Sequence, residues 1–263
     1  MPGMRPILFS LGSMNFFASP IFAGLSAILA ALYIWAYRDP KALDDEAYWN
    51  LMLWLSVGTL GAGLAAYFVL YGGGWESNLA FIFRHHRVKG GAFYGNYWGA
   101  MATVWLFARV WKLPFRPLAD RVATAAPLAL ALMRFGCIQH GCCFGRPSSL
   151  PWALVFTDPR SAVPNSLLGV PLHPSQVYEA FGNLAIFCVL HFVVFKRIRA
   201  GRLPEGFAFL ASTTLYAVLR LTLGHWRGSD PGIFTPWGLT TAQCIALMSL
   251  AGCAVLARRW RKA

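Results

Sequence analysis

Residues 122–146 read VATAAPLALALMRFGCIQHGCCFGR. The opening run, as far as Met133, suits a helix about to leave a lipid bilayer. The remainder does not: Arg134, three cysteines, His140 and three glycines arrive within a few turns. A charged side chain at the centre of a membrane helix costs about 2.5–3.5 kcal/mol on insertion scales, so it persists where it faces a protein interior and has a task there. The stretch reads as a membrane span with a functional end, and Arg134 is its first functional residue.

Outward from this stretch, apolar runs of the length that crosses hydrocarbon recur along all 263 residues, of which 57% are apolar. Seven spans are predicted, at about 17–37, 48–71, 91–110, 118–139, 175–196, 205–224 and 236–258. The fold class is all-α, a polytopic membrane protein with one integral-membrane domain over 1–263. The first span follows no small-residue cleavage site and is expected to be retained.

The net charge of +13 is explained by its distribution. With the N-terminus outside, the inner loops and tail carry Arg38, Lys41, Arg109, Lys112, Arg116, Arg121, Lys196, Arg197, Arg199, Arg202, Arg258, Arg259, Arg261 and Lys262. The outer segments carry half as many: Arg5, Arg84, Arg87, Lys89, Arg146, Arg160 and Arg227. This asymmetry predicts an N-out, C-in topology and makes nucleic acid an unexpected partner.

Between the spans, ILFSLGSMNFFASP at 7–20 is expected to lie along the outer interface. The triglycine at 72–74 ends the second span, and 76–89, with His85 and His86, reads as an interfacial amphipathic segment. The glycine-rich opening of the third span leads to Tyr94. The longest outer loop, 147–172, has a length that suits a lid. LHPSQVYE at 172–179 opens the fifth span and places Ser175 and Glu179 one turn apart, with Gln176 beside them. Tyr216 and Arg220 are likewise one turn apart in the sixth.

The predicted topology brings Tyr94, the Arg134 stretch, His173 to Glu179, and Arg220 to Arg227 to the outer ends of their helices. Arg134 falls about 6–9 Å below the interface at 1.5 Å per residue, and Arg220 is comparably placed. Two guanidiniums at one depth suit a single anionic group. A phospholipid phosphate is the anion available there, and the planar guanidinium fork matches its oxygens. Taken singly, each arginine could instead snorkel to the headgroups, a reading that weighs most for Arg146, Arg160 and Arg227.

R-F-G-C-x-x-H-G-C-x-x-G-R at 134–146, LPWALVF at 150–156, LHPSQVYE at 172–179, Y-x-x-x-R at 216–220 with Arg227 and Asp230 beyond it, and GLTTAQ at 238–243 together resemble the bacterial prolipoprotein diacylglyceryl transferases. The similarity runs from about Phe9 to Leu247. The resemblance implies a seven-helix inner-membrane enzyme that moves diacylglycerol from phosphatidylglycerol to the lipobox cysteine of a prolipoprotein signal peptide. A thioether forms and glycerol phosphate leaves.

Carried over by position, Arg134, Gly136, Gly141 and Gly145 match the family signature. Tyr216 and Arg220 match its essential tyrosine and arginine, Tyr94 stands where many members have histidine, and His173, Ser175, Gln176 and Glu179 match HPSQ-x-YE. Arg134, Arg220, Tyr94 and His173 are the catalytic candidates. Arg134, Gly136, His140, Gly141, Gly145, Gln176, Glu179, Tyr216 and Arg227 are the substrate-binding candidates. The nucleophile is the acceptor's thiol, and Tyr94, His173 and His140 remain open as the base that takes its proton.

Several positions depart from the family pattern: Ser19 for tyrosine, Leu64 for arginine, Cys137 and His140 for asparagines, Cys142 for glutamate and Gly224 for glutamate. These changes touch headgroup contacts, so a related lipid-group transferase with another acceptor is an alternative. A non-enzymatic lipid-binding or transport protein is a third, although arginines clustered on one side favour interfacial chemistry. Cys137, His140, Cys142 and Cys143 could be packed free thiols, a redox pair such as Cys137 with Cys142, or soft metal ligands. No metal and no cofactor are expected.

Overall fold

The computed structural model describes residues 5–12, 14–70, 93–228 and 238–262, and these are mostly helical. Seven long helices among them follow the predicted runs: α1 (Ala18–Tyr37), α2 (Asp45–Leu70), α3 (Phe93–Val110), α4 (Phe115–His140), α5 (Ser175–Arg199), α6 (Phe207–Leu223) and α7 (Thr241–Lys262). Five of them, α1, α2, α4, α5 and α7, are long and apolar enough to cross a membrane, while α6 is apolar but shorter. The readings made for 72–74, 76–89, Gly90, Gly91 and Asp230 lie outside the described residues.

Helix α4 is the post around which the others assemble. More than half of its span, 56%, is buried in protein, against 6% of the span in α2, so α2 reaches the bundle through α3. Helices α1, α3, α5 and α6 pack on α4, and α7 packs on α6. Two side chains near the start of α4 fix its neighbours. The buried Asp120 carboxylate accepts hydrogen bonds from Gly206 N (2.7 Å) and Phe209 N (2.8 Å), satisfying the amides that open α6. Arg121 Nε donates to Tyr37 O at 2.9 Å and closes the end of α1. In α5, the segment Val189–Phe195 winds as a π-helix before α-helical turns resume.

At the end of the bundle that holds Asp120, basic side chains lie over aromatic rings: Arg38 over Trp35 and Tyr48, Arg109 over Trp105, and Arg116 over Trp260. Rings and cations at one level are the anchors expected of a membrane interface. The interior between the two ends is filled by Tyr33, Val104, Phe107 and Phe209, then by Leu190, Ala217 and Ala246.

The opposite end carries the irregular chain. The N-terminal segment read as interfacial is a hairpin, β1 (Ile7–Leu11) with β2 (Met14–Phe17), which exposes Phe9, Leu11 and Met14. The loop at 147–172 is a folded cap. Strand β3 (Leu154–Val155) pairs with β4 (Pro171–Leu172), and Phe144, Phe156, Val163 and Leu172 enclose a small core of their own. A backbone bond from Ala162 N to His140 O (2.8 Å) holds it on the end of α4, and one from Gly169 N to Phe156 O (2.8 Å) closes it on itself.

Candidate active site

The first turns of α5 carry Glu179, whose side chain has no exposed surface. Three guanidiniums meet it. Arg134, from α4, pairs through Nη2 with Oε2. Arg220, from α6, donates from Nη1 to Oε1 at 2.8 Å. Arg227, in the chain just beyond α6, donates from Nη1 to the same oxygen. All three arginines are buried. Burying charges is costly unless they are paired and hydrogen-bonded, and here one carboxylate is set against three cations. The formal sum, three positive charges less one negative, is +2. The anion that brings Arg134 and Arg220 together in this structure is thus Glu179, a partner the arginine-pair reading did not include.

Tyr94 and Tyr216 stand edge to face beside this cluster, ring centroids 5.8 Å apart, and both lie within electrostatic reach of Arg220 and Glu179. One turn along α5, Asn183 Nδ2 donates to Glu179 O at 2.8 Å, and its Oδ1 has no partner among the described residues. Sequence reasoning passed over Asn183, although its spacing from Glu179 in an apolar span was a signal.

The loop after α4 is positioned by the HPSQ segment. Ser175 Oγ donates to Cys143 O at 2.7 Å, and Gln176 Nε2 donates to Cys142 O at 2.9 Å. The backbones of three segments are also stitched together: Gly145 N to His173 O (3.1 Å), His173 N to Arg146 O (2.9 Å), Arg146 N to Trp226 O (2.8 Å) and Gly228 N to Phe144 O (3.1 Å). This stitching carries Arg227 to Glu179. It requires glycine at 145, where a Cβ would fall 2.4 Å from His173 Cβ and 2.8 Å from Trp226 O. A cavity of about 210 Å³ opens beside it, lined in part by Phe144, Gly145, Arg146, Arg227 and Thr240.

The other expected residues take varied places. Gly141 ends α4 in a left-handed conformation (φ 77°) with its N–H on Cys137 O. Gly136 lies against Ser19 and Phe22 of α1. His140, half-buried, packs edge-on to Phe17, and its Nδ1 has no partner among the described residues. His173 is also half-buried with Nδ1 unpartnered among them. Of the arginines read as loop or snorkelling residues, Arg146 is exposed and Arg160 pairs in the cap with Asp158 at 2.7 Å, holding that carboxyl down to about 2. Arg227 behaves otherwise, and is the one whose burial the sequence concealed.

The cysteines are free thiols. The sulfurs of Cys137, Cys142 and Cys143 lie within 4.8 Å of one another, and Arg134 Nη1 donates to Cys143 Sγ (3.3 Å) and Cys137 Sγ (3.6 Å). Hydrogen bonds from Cys137 and Cys142, with Arg227 and Arg134 nearby, hold the Cys143 thiol well below the usual range.

A sequence model described as prolipoprotein diacylglyceryl transferase matches residues 6–258. Among curated proteins the chain is 30% identical to the phosphatidylglycerol–prolipoprotein diacylglyceryl transferase of Rhodopseudomonas palustris, covering 99% of this chain and 92% of that protein. It is 32% identical to the protein of that name from Nitrobacter hamburgensis (99% and 90%) and 30% identical to that of Zymomonas mobilis (95% and 89%). With the match extending over nearly the whole chain, through every segment that meets at Glu179, this protein belongs to the prolipoprotein diacylglyceryl transferase family.

Proposed function

We propose that this chain transfers the diacylglyceryl group of phosphatidylglycerol to the lipobox cysteine thiol of a prolipoprotein signal peptide and releases glycerol phosphate. It does so as one integral-membrane domain over 1–263, N-out and C-in, in a bacterial inner membrane with the site toward the outer leaflet. The observation that carries the proposal is the convergence of Arg134, Arg220 and Arg227 on one buried carboxylate.

In this reaction the acceptor sulfur forms a bond to the glyceryl carbon as that carbon's bond to the phosphate oxygen breaks. The thiol proton passes to a base, and the electron pair of the broken bond leaves with the phosphate. A phosphodiester with one negative charge becomes a monoester approaching two. A fixed cluster of formal charge +2 matches the departing group better than the bound lipid, which is the condition for lowering the barrier rather than only binding substrate. Glu179 positions the three forks before lipid arrives. Arg134 uses Nη2 on Glu179 and Nη1 on sulfur, while its Nε is unpartnered among the described residues and can turn to a phosphate oxygen. Of the three groups considered as base, the imidazoles of His173 and His140 are suited, because an imidazole accepts a proton near neutral pH and a phenol does not.

A second reading keeps the donor and changes the acceptor. It is favoured by the thiol cluster, two of whose members, Cys137 and Cys142, stand where the family pattern has polar side chains. Complementation separates the two. Cells depleted of their own transferase should be rescued by this chain, with a model prolipoprotein shifting in mobility, and not by its Arg134→Ala or Arg220→Ala variants. Failure of a well-expressed chain to rescue, with phosphatidylglycerol still consumed by the purified protein, would transfer the assignment to the second reading.

A further inference from the structure

Cys137, Cys142 and Cys143 form a closed triangle: each sulfur is within 4.8 Å of the other two. A disulfide would use two of them and leave the third odd. A trigonal metal centre uses all three, and with metal–sulfur bonds of about 2.3 Å it sets its sulfurs about 4.0 Å apart, inside the spacing already present. From the mutual proximity of these sulfurs and the guanidinium donating to two of them, we infer that the triangle is a binding site for one thiophilic cation, of the closed-shell class of zinc(II) or copper(I), held by three thiolates.

Three features besides the spacing support it. The backbones that carry the three sulfurs are each fixed at the carbonyl: Gly141 N donates to Cys137 O, Gln176 to Cys142 O and Ser175 to Cys143 O (2.9, 2.9 and 2.7 Å). The turn between the adjacent cysteines is unusual too: Cys143 has a left-handed φ of 60°, uncommon for a residue with a side chain, and the sulfurs of Cys142 and Cys143 lie on the same side, both near that of Cys137. The charge is compensated, because three thiolates with a divalent ion carry −1 and with a monovalent ion −2, and Arg134 lies 3.3 Å and 3.6 Å from two of the sulfurs. Donors of this kind surrounding metal-bound sulfur are what orient and tune a thiolate site. Among the described residues, Cys188, Cys244 and Cys253 belong to no such group. The site does not depend on the transferase reading, although Arg134, Gly141 and Gln176 are common to both.

The test uses the full chain, reduced and in detergent micelles, titrated with cadmium(II) as a spectroscopic stand-in for zinc. One cadmium per chain should bind, with the ultraviolet sulfur-to-cadmium charge-transfer absorption of three thiolates, and Cys137, Cys142 and Cys143 should be shielded from maleimide while Cys188, Cys244 and Cys253 react as before. Cys142→Ser should reduce the absorption by a third and weaken binding, Cys244→Ser should leave both unchanged, and Arg134→Gln should weaken binding about 10- to 100-fold. Absence of the absorption in the reduced wild-type protein, or maleimide labelling of the half-buried Cys142 and Cys143 unchanged by cadmium, would overturn the inference. Because the labelling is read on the wild-type chain, it stands even if a cysteine variant fails to fold.

Discussion

Replacing Glu179 by glutamine keeps its shape and removes the single negative charge that three buried arginines share. The formal charge of the cluster rises from +2 to +3. Breaking a buried ion pair by removing one partner costs about 3–5 kcal/mol, because the other charge is left uncompensated. Here the deleted partner serves three cations, so Glu179→Gln is expected at the upper end of that range, near 5 kcal/mol. Arg220→Gln removes one cation of three and leaves Glu179 with Arg134 and Arg227, so its cost is expected to be lower, about 1–3 kcal/mol. Thermal unfolding of both variants in the same detergent should rank them in that order. Added inorganic phosphate should restore part of the lost stability to Glu179→Gln, since an external anion can sit among the three forks, and should restore less to Arg220→Gln. Equal stability of Glu179→Gln and wild type, or no effect of phosphate on it, would refute the view that Glu179 organises these arginines.

Arg227→Ala should lower the transfer rate by about 100- to 1,000-fold, the usual loss of one donor that stabilises developing charge, while Arg160→Ala, an exposed cap residue paired with Asp158, should leave it unchanged; initial rates with a lipobox peptide compare the two. Gly145→Ala drives a Cβ into His173 and Trp226 from both sides, and a loss of about 1–3 kcal/mol is expected from overpacking, read as a lower unfolding temperature together with loss of transfer. Asp120→Asn weakens the cap on α6 at the far end of the bundle; a cost of about 1–2 kcal/mol is expected, with the rate per folded molecule preserved.

The helices were legible because membrane spans need long apolar runs, and each of the seven described helices overlaps a predicted one. The convergence of the 134, 179 and 220 regions followed from topology, which put their polar ends on one side. Other features were hidden because they are tertiary. Nothing local to Arg227 distinguishes it from Arg146 or Arg160; its burial comes from the backbone stitching of Gly145 to His173 and Arg146 to Trp226, pairings between segments about 30 and 80 residues apart. Glu179 as the anion among these arginines was hidden for a related reason. Lipid phosphate is the anion a sequence suggests at that depth, whereas the fold supplies Glu179 first. Asp120 stands at the start of the span read at 118–139 with nothing local to mark its role, and only the arrival of residues 206–209 shows it to be a cap.

The proposed transfer turns on the arginine cluster taking up the charge of the phosphate that leaves. The direct measurement is glycerol phosphate release from headgroup-labelled phosphatidylglycerol in proteoliposomes, with a lipobox peptide as acceptor. Wild-type protein should release label only with the cysteine peptide and not with its serine counterpart, and Arg134→Gln or Arg220→Gln should abolish release while the folded bundle persists. Release that continues at the wild-type rate in folded Arg134→Gln and Arg220→Gln proteins would contradict it.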